Sequence, residues 1–190
     1  DSQFNYATGK VSGRNFVGGL AGRINKGVAV SNSFARGEVS GVSHVGGFAG
    51  SNLGSVQNCY AAGKVTSNSV TGGLAASGGG TVTNSYWDLQ TSTQAASAGG
   101  TGRNSDPMTY PYASDTYAGW NFTSVWKADI SPAQNGGYPL LTVSEVYKID
   151  RRVFPSGPGS VTGEGLFPAG QLVPLQAIPQ QSLPRYAHGP

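Results

Sequence analysis

Tyr6-Ala-Thr-Gly-Lys-Val11, Phe34-Ala-Arg-Gly-Glu-Val39 and Tyr60-Ala-Ala-Gly-Lys-Val65 are three versions of one segment. Each is followed by a glycine pair in a second shared segment: Val17-Gly-Gly-Leu-Ala-Gly22, Val45-Gly-Gly-Phe-Ala-Gly50 and Thr71-Gly-Gly-Leu-Ala-Ala76. The spacing is 28 residues from Tyr6 to Phe34, then 26 to Tyr60 and 26 again to Tyr86, where a degraded fourth copy begins. A period of this size means stacked units, none of which buries its apolar face without a neighbour. The alternation in Lys10-Val11-Ser12 and Glu38-Val39-Ser40 has the period of half-buried strands. The expected fold is therefore all-β: a β-solenoid, parallel β-helix-like, with stacked coils of about 26–28 residues.

Aligned copies give columns. Tyr6, Phe34, Tyr60 and Tyr86 form one; Val11, Val39 and Val65 another, with Thr91 in the fading copy; Leu20, Phe48 and Leu74 a third; Val30, Val56 and Val82 a fourth. Equivalent residues of successive coils lie one strand spacing apart, about 4.8 Å, so these columns are expected to stack as core ladders. Gly9, Gly37 and Gly63, and the pairs Gly18-Gly19, Gly46-Gly47 and Gly72-Gly73, sit where coils turn or backbones approach closely. Asn32, Asn58 and Asn84 are expected to hydrogen-bond along the axis and to satisfy turn groups.

Few residues offer chemistry. Lys10, Glu38 and Lys64 read as an exposed charge ladder, and the next residue in that column, Gln90, supplies no second acid. Asp88, Asp106, Asp115, Asp129 and Glu38 show no pairing by column of the sort that polysaccharide cleavage needs. Cys59 is the only cysteine, which excludes an internal disulfide, and it shares a column with Ser33 and Ser85 as a small buried side chain. His44 and His188 are not in metal-ligand spacing. No catalytic residue, metal or cofactor is expected, and the chain reads as a non-enzyme. The net charge of +3 comes from scattered basic residues, so nucleic acid is not an expected partner. No run of about 18 apolar residues is present to span a membrane. Asp1 begins inside a repeat, and the expectation is a mature product or an excised fragment of something longer.

Residues 1–102 are read as the solenoid and 103–147 as an aromatic-rich cap over its open end. Trp87, Trp120 and Trp126 are the alternative candidates for stacking on sugar rings. Residues 148–190 carry seven prolines and are expected to form an extended tail or linker, unable to be a central strand or a helix. Its Leu166, Phe167, Leu172, Val173, Leu175 and Ile178 are candidates for docking on the chain's own solenoid or on a neighbouring molecule, which would make the protein self-associate into fibres or oligomers.

Gly-Gly-Leu-Ala-Gly at 18–22, Gly-Gly-Phe-Ala-Gly at 46–50 and Gly-Gly-Leu-Ala-Ala at 72–76 resemble the GLUG motif, and Asn-Ser-Tyr-Trp-Asp at 84–88 and Gly-Tyr-Pro-Leu-Leu at 137–141 resemble the segment that closes such arrays. Phe48 and Ala76 depart from the motif. The resemblance implies a stalk or adhesive segment of a bacterial extracellular or surface protein, similar to filamentous-haemagglutinin-like adhesins exported by two-partner secretion. It implies an outer-membrane secretion partner in such a system, a host or matrix glycan or protein receptor, and no catalytic residue.

Overall fold

The computed structural model describes residues 1–132 and 134–142, together with the backbone of four short strands between residues 146 and 179. The chain divides into two compact units, Asp1–Thr142 and Val143–Pro190, so the aromatic-rich stretch up to Thr142 belongs with the repeats.

The first unit is a β-solenoid of about three turns, built from five parallel ladders. One runs Ser2–Gln3, Ala29–Ser31, Ser55–Gln57, Thr81–Thr83; the next Tyr6–Ala7, Phe34–Ala35, Tyr60–Ala61, Tyr86–Asp88, Thr101–Arg103. The third runs Val11–Ser12, Val39–Gly41, Val65–Ser67, and the fourth Asn15–Gly18, Ser43–Gly46, Thr71–Gly72. The fifth runs Ala21–Ile24, Ala49–Asn52, Ala75–Ser77. Partners are the column-mates of the sequence: Tyr6 with Phe34, Phe34 with Tyr60, Tyr60 with Tyr86, Val11 with Val39 and Val39 with Val65. Strands of two to four residues survive because each backbone group pairs with the coil above or below, the arrangement that leaves fewest buried groups orphaned.

Glycine is forced where coils touch by backbone. A Cβ on Gly37 would lie 1.8 Å from the Gly9 carbonyl oxygen, and one on Gly63 would lie 1.9 Å from that of Gly37. The asparagine column has a conformational cause more than a bonding one. Asn32, Asn58 and Asn84 adopt φ of 47°, 51° and 44°, the left-handed region that asparagine tolerates best after glycine. The expected axial bond is long, 3.5 Å from Asn58 Nδ2 to Asn32 Oδ1.

Two expectations about the core need correcting. Adjacent strand residues point to opposite faces, so Ala35, Ala61 and Trp87 enter the interior with Phe48, Leu74, Val30 and Val56, while Phe34, Tyr60 and Tyr86 point out of the coil into a separate cluster. The aromatic column is an outer wall, and residues 104–142 cover that wall rather than the open end.

The end itself is closed by the chain just after the third turn. Thr91 leaves its column for the short helix Leu89–Ser92, capped by the Asp88 carboxylate accepting from Gln90 N and Thr91 N at 2.8 and 2.9 Å. Residues 96–98 then stand in for a missing coil: Ala96 O accepts from Gly73 N, Ala98 N donates to Ala75 O, and Ser97 Oγ accepts from Leu74 N and Ala75 N. The Trp87 indole lies directly against Gly73, where a Cβ would sit 1.8 Å from its ring.

In the second unit Val146–Ile149 pairs antiparallel with Gly165–Pro168, and Gly159–Thr162 with Gln176–Pro179. The segment read as an extended tail thus contains strands. Both sheets are two-stranded, so each of these strands is an edge strand, where proline is tolerated; Pro168 and Pro179 are the last residues of theirs.

Candidate functional site

The densest concentration of side-chain chemistry is the covered aromatic wall. Tyr6 stacks on Phe34 with ring centroids 5.4 Å apart, and Phe34 on Tyr60 at 5.0 Å and 6° between planes, as parallel pairing of identical positions dictates. The cover inserts rings beside them: Tyr138 parallel to Tyr60 at 5.8 Å, Tyr117 edge-on to Tyr60 and Tyr86, and Trp120 and Trp126 4.4 Å apart.

Polar groups latch the cover in place. Tyr60 Oη donates to Pro139 O at 2.8 Å and accepts from Asn135 Nδ2 at 2.7 Å. The Arg36 guanidinium donates to Asn135 O and Oδ1 while lying 4.5 Å over the Tyr138 ring. Tyr138 Oη donates to the buried Asp88 carboxylate at 2.5 Å, and Asp129 Oδ2 accepts from Asn135 N and Gly137 N at 2.8 and 2.9 Å. The two carboxylates buried among the described residues, Asp88 and Asp129, are therefore occupied in holding backbone and the cover. At the surface, Asp115 pairs with Arg103 at 2.7 Å.

Trp87, Trp120 and Trp126 are only 7%, 6% and 1% exposed. Trp87 fills the end of the interior and the other two pack against Tyr60, which leaves no indole face for a sugar ring and corrects that expectation. Sequence reading had no means of ranking the aromatics of 104–138 by exposure. Among the described residues the exposed rings are Tyr110 and Phe122, flanking the part-buried Tyr112 at 5.8 and 5.7 Å, together with Phe4 and Tyr6 in the first coil. Of the docking candidates, Leu166 and Phe167 lie on the strand Gly165–Pro168 and Ile178 on Gln176–Pro179, whereas Leu172, Val173 and Leu175 lie outside the described residues, as does His188.

His44 tilts against Phe16 at 4.7 Å, with Nδ1 2.8 Å from Ser43 Oγ. Among the described residues no group of three or more His, Cys, Asp or Glu is placed to hold a metal. Lys10 Nζ meets Glu38 Oε2 at 3.2 Å with both side chains largely in solvent, a pair worth little.

Cys59 is fully buried and behaves as its column predicts. Its Sγ contacts Gln57 O at 3.2 Å just as Ser33 Oγ donates to Ser31 O and Ser85 Oγ to Thr83 O, each to the carbonyl two residues back. Burial pushes the thiol up to about 12. Iodoacetamide at pH 8 is accordingly expected to leave the native chain unlabelled and to label it in urea, and Cys59→Ser is expected to cost less than about 1.5 kcal/mol in a urea titration.

Burial also raises the tyrosines of the wall: Tyr60 and Tyr117 well above the ordinary range, and Tyr112 and Tyr138 to about 12, with the Asp88 bond adding to the effect at Tyr138. Unfolded tyrosine ionises near 10, so the stability these groups confer is intact below about pH 10 and drains away between about 10 and 12. Tyrosinate absorbance at 295 nm from these four is expected to appear together with loss of near-ultraviolet circular dichroism. Ionisation of the wall before unfolding would contradict this packing.

The GLUG motif family matches residues 41–66, one full coil running from the third ladder of one turn to the third ladder of the next. The chain carries the GLUG repeat. No curated protein and no solved structure matches the chain. In the matched GLUG coil the Gly-Gly-Phe-Ala-Gly element supplies the tight fourth corner. A Cβ on Gly46 would lie 2.0 Å from Ala49 O and one on Gly47 2.2 Å from Gly73 O, so the motif's glycines record backbone contact within and between coils, not a ligand cradle.

Proposed function

We propose that this GLUG-repeat chain is a non-catalytic structural and adhesive segment of a bacterial extracellular surface protein or filament, acting through rigidity and surface contacts. The observation that supports this reading most is that the chemistry-bearing groups of the first unit are taken up by the scaffold. Asp88 caps a helix, Asp129 holds a turn, Cys59 bonds a carbonyl, and Tyr60 and Arg36 latch the cover. What the first unit presents outward is shape: stacked coils and an exposed ring cluster. Self-association through residues 148–190 is part of the proposal, since Leu166, Phe167 and Ile178 lie on two-stranded sheets whose edges can accept another strand.

Beads coated with the full chain are expected to adhere to epithelial cells and matrix proteins above an albumin control, and light scattering is expected to show mass rising with concentration. Adhesion no greater than albumin would remove the adhesive reading, and a monomer throughout would remove self-association. A glycan-binding reading is favoured by one observation, the exposed Tyr110 and Phe122 rings beside Tyr112. Glycan-array binding that is lost in Tyr110→Ala would support it.

A further inference from the structure

The cover keeps most of its rings inside, yet Tyr110, Phe122 and Ile130 stand out of it, the last of them 69% exposed. Tyr110 and Phe122 flank Tyr112, and the Tyr110 ring is turned 89° from it with centroids 5.8 Å apart. Tyr112 is turned in the same way, by 90°, from the buried Tyr117, and its Oη accepts from Asp129 N at 3.4 Å, so the middle ring is fixed to the wall. Backbone bonds hold the flanking rings as well: Tyr110 N donates to Gly137 O at 2.9 Å and Phe122 N to Trp120 O at 3.1 Å. An exposed apolar patch that is already ordered loses little further freedom when something binds it.

Rings set at right angles form open corners, the kind of aromatic-lined surface on which proline-rich segments dock. The surroundings are acidic: residues 104–142 hold Asp106, Asp115 and Asp129 against Lys127 alone, and Asp106 is exposed a few residues before Tyr110. The chain supplies a segment of the complementary kind. Arg151-Arg152-Val-Phe-Pro155-Ser-Gly-Pro158 lies outside the described residues and joins two arginines to two prolines. A polyproline II conformer, with three residues per turn and about 3.1 Å per residue, would set Arg152, Pro155 and Pro158 on one edge with the prolines about 9 Å apart. That span suits three rings whose successive centroids are 5.8 and 5.7 Å apart, and it leaves Arg152 one turn beyond them for a carboxylate.

We infer that the ridge formed by Tyr110, Tyr112 and Phe122 is the docking site for the Arg152–Pro158 segment of a neighbouring copy of this chain. The inference rests on the self-association reading and gives it an acceptor surface. Ridge and segment are different parts of the sequence, so each copy can give one contact and take one, and the assembly is open-ended.

Light scattering on the full chain tests it. Mass is expected to rise with concentration, and either Tyr110→Ala or the pair Pro155→Ala and Pro158→Ala is expected to move that rise to at least about tenfold higher concentration, with the far-ultraviolet circular dichroism unchanged. Mixed in equal amounts, the two variants are expected to form a dimer and nothing larger, because one intact ridge then meets one intact segment. A synthetic peptide of residues 150–160 is expected to disperse the wild-type assembly, and its Arg152→Glu version to need at least about tenfold more. Association that survives Tyr110→Ala overturns the proposal and leaves self-association through the strand edges standing. So does a mixture that behaves like either variant alone. A wild-type chain that is monomeric at every concentration removes the self-association reading and this inference with it. Loss of glycan-array binding in Tyr110→Ala, with the mass unchanged, overturns it in favour of a sugar on the same rings.

Discussion

Gly63→Val is expected to leave no stable folded solenoid. The substituted Cβ would lie 1.9 Å from Gly37 O, 2.7 Å from Gly37 C and 3.0 Å from Arg36 O, all of them backbone atoms fixed by the pairing of the coils on either side. No rotamer relieves a clash at Cβ, and relief by moving the backbone would break the ladder bonds that Val39 N and Ala62 N make to Lys64 O and Ala35 O. Overpacking against immobile backbone belongs to the class of substitutions that cost about 4 kcal/mol or more. A urea titration followed by far-ultraviolet circular dichroism checks it, with Gly79→Ala as the control. That glycine has nothing within 4 Å of its Cβ position and should lose no more than about 0.5 kcal/mol. Equal losses at the two positions would show that coil contact is not what selects glycine.

Trp126→Ala is expected to have the largest effect of any truncation in the cover, about 3–5 kcal/mol. Trp126 is 1% exposed and contacts Trp120, Tyr60 and Phe34, so its removal opens a void at the junction of wall and cover. The interior set around Phe48, Leu74 and Val56 does not include it. Near-ultraviolet circular dichroism should therefore collapse at lower urea than the far-ultraviolet strand signal, and the wall tyrosines should ionise closer to their ordinary range. If the two signals still melt together with a loss under about 1 kcal/mol, the cover is an ornament on the solenoid rather than a part of its stability.

Repeat-spaced residues made most of the fold legible in the chain. A coil stacked in parallel brings residue i over its column-mate by necessity, so Tyr6, Phe34 and Tyr60 had to pair, as did Val11, Val39 and Val65. The same logic put Cys59 in a serine's place and glycine where coils meet by backbone. Thr91 and Gln90 escaped that reading because the fourth copy breaks register: the Asp88 carboxylate starts a helix there, a local bond competing with the ladder. The strands of 146–179 escaped it as well, because prolines argue against central strands yet are admissible at the edges of two-stranded sheets.

The division of labour has a physical reason. Period, column membership and the need for glycine are local or strictly periodic properties, carried by residue type at fixed spacing, and one chain read once is enough to establish them. Which side of a two-residue strand faces inward depends on what else packs against it. The outward turn of the aromatic column and the burial of Trp120 and Trp126 arise from contacts with residues as distant in sequence as Tyr60 and Asn135.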